Sequence, residues 1–159
     1  MIILGIDPGT ARIGYSIINK VDGEAELINY GCLEIKNKNQ VERLKIISEL
    51  ISKLISKYNP QTLAIEKLFF TKNVKTALSV SEARGVIINC ANLMNLEVTE
   101  FTPLEVKTAV TGYGKAEKYQ VQKMVMKILK LEKIPKPDDA ADAIAIALTA
   151  CYTNPKLKN

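Results

Sequence analysis

The sequence predicts an α/β protein whose mixed five-stranded sheet, an antiparallel meander continued by parallel strands, carries helices on both faces. Three observations predict it. Strand-like segments open the chain at 2–7, 12–19 and 26–35. Helical and strand-like spacings of apolar residues then alternate to the end. Finally, 159 residues can bury one proper core but leave no room for a second full domain, so residues 1–159 are expected to form a single domain.

The elements follow in order. Segment 2–7 is apolar up to Asp7, and a turn containing Pro8 and Gly9 leads into 12–19. Leu44, Ile47, Leu50, Ile51, Leu54 and Ile55 recur at helical spacing within 40–57, and Asn59-Pro60 stops that helix. A strand at 62–68 and a long helix at 74–94 come next, the helix holding Gly85 in its interior. The remaining elements are a strand at 97–101, a helix beginning near Thr102-Pro103, and helices at 117–130 and 137–152. No repeat, low-complexity stretch or linker interrupts them.

Composition removes several classes of function. The chain has no histidine, which excludes His-dependent nucleophile systems and histidine-ligated zinc. Three scattered cysteines, Cys32, Cys90 and Cys151, form no CxxC pair and no disulfide framework, and are expected to be reduced and buried. No apolar run is long enough to span a bilayer, and the N-terminus lacks a secretory pattern, so no membrane association and a cytoplasmic location are expected. Carboxylates must then carry any acid chemistry or metal binding. A net charge of +5 suits a polyanionic partner, as it also suits a solvated, lysine-rich surface.

Five carboxylates occupy positions that an ordinary core does not use. Asp7 ends the first strand at a Pro-Gly turn, which leaves it at the rim of the sheet. Glu66 is the charged residue of the apolar run Leu63-Ala64-Ile65-Glu66, where it must be paired, solvated or metal-bound. Asp138 and Asp139 suit the positive end of the last helix, and Asp139 and Asp142, three residues apart, share one of its faces. Taken singly, these acids suit a turn, a core ion pair or a helix cap. Ala140, Ala141, Ala143, Ala145 and Ala147 are small enough to let that helix approach the sheet, bringing its acids toward Asp7 and Glu66. Oxygen-only ligation of this kind suits magnesium or manganese, and two such ions about 4 Å apart serve phosphodiester hydrolysis.

Several motifs in one order resemble the RuvC family of bacterial Holliday-junction resolvases. They are Gly5-Ile6-Asp7-Pro8-Gly9-Thr10 with Gly14-Tyr15, Ala64-Ile65-Glu66 with Phe69, Ala83-Arg84-Gly85-Val86, Val106-Lys107, Ala116-Glu117-Lys118 with Val121-Gln122, and Asp139-Ala140-Ala141-Asp142-Ala143 with Ala145-Ile146-Ala147. The resemblance implies an RNase H-like fold and a metal-dependent crossover junction endodeoxyribonuclease. Asp7, Glu66, Asp139 and Asp142 become its catalytic and metal-binding residues, holding two Mg2+ ions for which Mn2+ substitutes. Asp138 is left as a helix cap. It further implies DNA contacts by Phe69, Lys107 and Lys118, although Phe70 beside Phe69 shares the aromatic role as far as residue type goes. A homodimer built on the helix carrying Arg84 and Gly85, symmetric nicking of two strands of like polarity in four-way junction DNA, and association with the RuvA-RuvB branch-migration complex complete what it implies.

Other readings compete with it. RNA-processing nucleases of the YqgF type share a related fold and acidic site. The segment Gly5-Ile6-Asp7-Pro8-Gly9-Thr10 also resembles the phosphate loop of the actin and sugar-kinase fold, which needs two such domains. A binding-only scaffold would hold DNA more easily without four carboxylates.

Overall fold

A computed structural model describes residues 1–68 and 74–153. Strands β1 (Ile2–Asp7), β2 (Arg12–Val21) and β3 (Glu24–Glu34) form the antiparallel meander. Helix α1 (Gln40–Tyr58) leads to β4 (Thr62–Glu66), which pairs parallel with β1, and α2 (Val74–Leu93) leads to β5 (Glu97–Phe101), parallel with β4. Helices α3 (Pro103–Thr111), α4 (Lys118–Ile128) and α5 (Asp138–Tyr152) close the chain. The strand order is β3-β2-β1-β4-β5, the mixed five-stranded sheet that the pattern predicts, with β1 at its centre.

Local chemistry sets the ends of these elements. Asp22 and Gly23 both take positive φ, the geometry of a tight two-residue hairpin, so β2 and β3 run farther toward the turn than the expected 12–19 and 26–35. The side chain of Asn39 accepts from the Glu42 amide to start α1, and Asn59 in the left-handed conformation ends it. Thr102 and Glu105 form a capping box at α3, which stops at Gly112 with φ 75°. Pro137 stands one residue outside α5 and not in its first turn.

Alternation along the strands sends side chains into two cores. Leu4, Ile6, Ile17, Leu63 and Ile65 pack against Ile47, Ile51 and Ile55 of α1 and Ala83, Ile87 and Ala91 of α2. Ile3, Ala64 and Phe101 face the other way, toward α5, with Val106 of α3 and Val121 and Val125 of α4 in the same cluster. From Ala143 to Cys151 every residue of α5 is buried, because it is covered by the sheet on one side and by α3 and α4 on another. Among the described residues no helix is long and apolar enough to cross a membrane.

The small residues of α5 do bring it close to the sheet. A Cβ on Gly5 would meet the Ala143 carbonyl oxygen and, at 2.7 Å, the Ala147 methyl; one on Gly14 would collide with the Asp139 carbonyl. The Ser16 hydroxyl donates to the Ala143 carbonyl at 2.9 Å, satisfying a buried hydroxyl at the same contact. The first turn of α5 therefore lies directly over the β1–β2 rim.

Candidate active site

Register and alternation decide where the strand carboxylates go. Gly5 faces α5, so Asp7, two residues on, faces the same side, and Ala64 places Glu66 there likewise. Ile6 pairs with Ile65 in the parallel ladder, which sets Asp7 and Glu66 side by side at the C-terminal ends of the two central strands. Asp139 and Asp142 arrive from the start of α5 above them.

The charges are not in balance. Burial, then the carboxylates of Asp142, Glu66 and Asp139, push Asp7 from 3.8 up to about 8, against a smaller opposing effect of Lys118. Burial raises Glu66 too, with Asp142 adding to it. Two cations partly offset the cluster. Arg12 pairs with Asp139 at 2.9 Å, and the Lys118 ammonium donates to Asp142 at 2.8 Å while standing 3.7 Å from Asp138. Lys118 is partly buried, which works against its charge, but the Asp142 hydrogen bond and the nearby acids raise its pKa overall.

Among the described residues no three acidic or cysteine side chains stand close enough together to enclose an ion as placed. Asp139 and Asp142 lean on Arg12 and Lys118 instead. Their donor chemistry still fits a hard divalent cation: four carboxylates, buried excess negative charge at Asp7, and two side chains that remain 35% exposed and able to rotate. Glu66, Lys107, Lys118 and Asp142 line one cleft of about 200 Å³ floored by Val106 and Ile146. Of the residues expected to meet DNA, Lys107 and Lys118 thus share the cleft with the acids, and Phe69, with its neighbour Phe70, lies outside the described residues.

One expectation is corrected and several partners are new. The N-cap position of α5 is Pro137, without a side-chain cap, and Asp138 stands in the first turn; its carboxylate accepts from Lys136 at 2.8 Å, which lowers its pKa. Cys32 is half-buried and its thiol points to Asp139 at 3.8 Å. Arg84 of α2 donates through Nε to the Glu66 carbonyl at 2.9 Å and pairs with Glu100 of β5, tying the end of β4 to its neighbours. No spacing in the sequence announces these contacts, because none of them joins two residues of the same helix or strand. The motif Ala83-Arg84-Gly85 points to Arg84, but not to the backbone of Glu66.

Comparison with known proteins gives this arrangement relatives. The family model "Crossover junction endodeoxyribonuclease RuvC" matches residues 3–150. The chain is 51% identical over 155 residues to the crossover junction endodeoxyribonuclease RuvC of Halothermothrix orenii, covering 97% of this chain and 93% of that protein. The structure of Thermus thermophilus RuvC superposes with a TM-score of 0.88 at 31% identity, over 96% of this chain and 95% of that one. The same protein in complex with a Holliday junction substrate gives a TM-score of 0.89, covering 96% and 93% of the two chains at 31% identity. The fold is RNase H-like.

Proposed function

The chain belongs to the RuvC family of crossover junction endodeoxyribonucleases, and from that premise we propose that Asp7, Glu66, Asp139 and Asp142 are the catalytic, metal-binding residues with which it cuts four-way junction DNA. It is a structure-specific, phosphodiester-hydrolysing nuclease of DNA recombination and repair, dependent on a divalent cation. The observation that carries the site assignment is the convergence of the four carboxylates at the ends of β1 and β4 under the start of α5; Asp7, raised first by burial and then by the other three acids, is where a bound cation would relieve the cost of ionisation.

Mg2+, two ions per site with Mn2+ as substitute, is the cation this oxygen-only set suits, and when bound it supplies an activated water and stabilises the leaving oxygen. The protein's own groups do the rest. Asp7 and Glu66 hold fixed positions because their strands are hydrogen-bonded side by side, and α5 cannot shift its acids away from them without breaking its contact with Gly5 and Gly14. Lys107 and Lys118 line the same cleft as Glu66 and Asp142, where their ammonium groups neutralise an incoming phosphate. Phe69 supplies a ring that stacks on an unpaired base. One site cuts one strand, so symmetric nicking of two strands of like polarity requires a homodimer, with the exposed face of α2 as its seam. The RuvA-RuvB complex as motor partner and the cytoplasm as location belong to the same reading.

The test is incubation of a synthetic four-way junction with Mg2+, with linear duplex and RNA as controls. Wild type nicks the junction and spares both controls, while Asp7→Asn and Glu66→Gln bind the junction and leave it intact. Wild-type cutting by either variant removes that residue from the site, and preferential cutting of RNA transfers the chain to an RNA-processing role.

A further inference from the structure

Most of the chain's net positive charge falls in one stretch. Residues 111–130 carry five lysines against one acid, Glu117, which is a net +4 of the chain's +5, so the rest of the sequence is close to neutral. The stretch folds as the α3–α4 turn and α4 itself, whose outward residues Tyr119, Lys123 and Lys127 recur every four positions and form one stripe. Beside the stripe runs an open groove of about 280 Å³, lined by Tyr113, Gln120, Lys123, Met124 and Lys127. Tyr113 and Tyr119 are 58% and 55% exposed, and the Lys123 ammonium sits 4.7 Å from the centre of the Tyr119 ring, which props it outward beside the groove. Among the described residues no carboxylate stands within ion-pair distance of Lys115, Lys123, Lys127 or Lys130.

We propose that this lysine and tyrosine ledge is a second DNA-binding surface, which grips the sugar-phosphate backbone of a duplex arm away from the cleaved bond. The proposal rests on the junction reading above and adds a contact to it. Continuity selects DNA as the occupant: α4 begins at Lys118, inside the cleft that holds the carboxylates, and its stripe leads outward from there. From Lys118 to Lys127 the helix rises about 14 Å. That length spans about four nucleotides of one strand at about 3.4 Å each. Lysines and tyrosine hydroxyls without base-reading partners suit phosphates, so the ledge adds affinity and orientation and leaves sequence preference unchanged.

The salt dependence of binding, measured in Ca2+ for the full chain, tests this on two junctions. One has long arms, and in the other the arms end about two base pairs beyond the cleavage step. On long arms Lys123→Gln/Lys127→Gln lowers affinity at least tenfold and reduces the magnitude of the salt slope by about two, one for each phosphate that is no longer neutralised. On short arms it binds as wild type does. Its single-turnover nicking rate at saturating protein stays at the wild-type value, because neither lysine lines the acidic cleft. Lys45→Gln/Lys53→Gln on α1, across the sheet, removes the same charge and leaves the slope unchanged. An unchanged slope for the ledge variant, an equal loss on short arms, or an equal loss from the α1 variant overturns the proposal. If wild type shows no preference for a junction over linear duplex, the junction reading fails, and the slope on duplex alone still decides the ledge.

Discussion

At the scale of single residues, the proposed chemistry turns on Asp7. Its carboxyl, ordinarily ionised above pH 3.8, keeps its proton up to about 8 in the folded chain. Between those values the folded state binds more protons than the unfolded chain, so the metal-free protein loses stability as the pH rises. Asp7→Asn removes the charge and with it the loss. In chelator at pH 8 the variant is expected to be more stable than wild type by several kcal/mol, with a ceiling of about 6, an advantage that shrinks toward pH 4. Urea unfolding at both pH values measures it, and equal stabilities at pH 8 would mean that neither burial nor the neighbouring acids penalise the Asp7 carboxylate. The four acids were legible in the sequence because each stands where an apolar pattern breaks, at a strand end or a helix start. Arg12, Cys32 and the Arg84–Glu100 pair were not, since an ion pair across the fold leaves no periodic trace.

At the scale of elements, the contact between α5 and the β1–β2 hairpin determines whether the acids meet. Gly14→Ala puts a methyl group into the Asp139 carbonyl, and backbone on both sides leaves little room to yield. A cost of about 1–3 kcal/mol is expected from overpacking. Displacing the first turn of α5 also lowers the single-turnover cleavage rate more than tenfold, with junction affinity retained. Denaturant titration and nicking at saturation measure the two effects; wild-type values in both would show that α5 need not lie so close. The order and type of elements followed from hydrophobic spacing alone. Their ends were less legible where turns decide them: the alternation Glu24-Ala25-Glu26-Leu27 begins directly after Asp22-Gly23, and the two positive φ angles of that turn let both strands run up to it. Pro137 fits either just outside a helix or in its first turn, and spacing does not distinguish the two.

At the scale of the whole molecule, α2 presents a face that the other described residues leave uncovered. Leu78 and Leu93 are 59% and 74% exposed, and a Cβ on Gly85 would meet no atom within 4 Å. A glycine in a helix interior costs about 1 kcal/mol relative to alanine. Gly85→Ala should therefore stabilise the dilute monomer by about that amount. If a partner's helix packs at Gly85, the same methyl group weakens the dimer by about tenfold or more. Sedimentation across a concentration series, alongside thermal unfolding at the lowest concentration, reads both, and unaltered dimerisation would move the seam elsewhere on the surface.

The burial of α5 on several sides has a last consequence, for damaged molecules. The stretch of α5 from Ala143 to Cys151 has no local route to solvent, so it opens only when the sheet and the α3–α4 layer come apart with it. Two of the four acids ride on that helix, and the other two stand on the central strands beneath it. An opening that lifts α5 from the sheet consequently carries Asp139 and Asp142 away from Asp7 and Glu66. On the proposed assignment of these four acids, such a damaged copy cannot cut: it is inert toward the chromosome before it is lost.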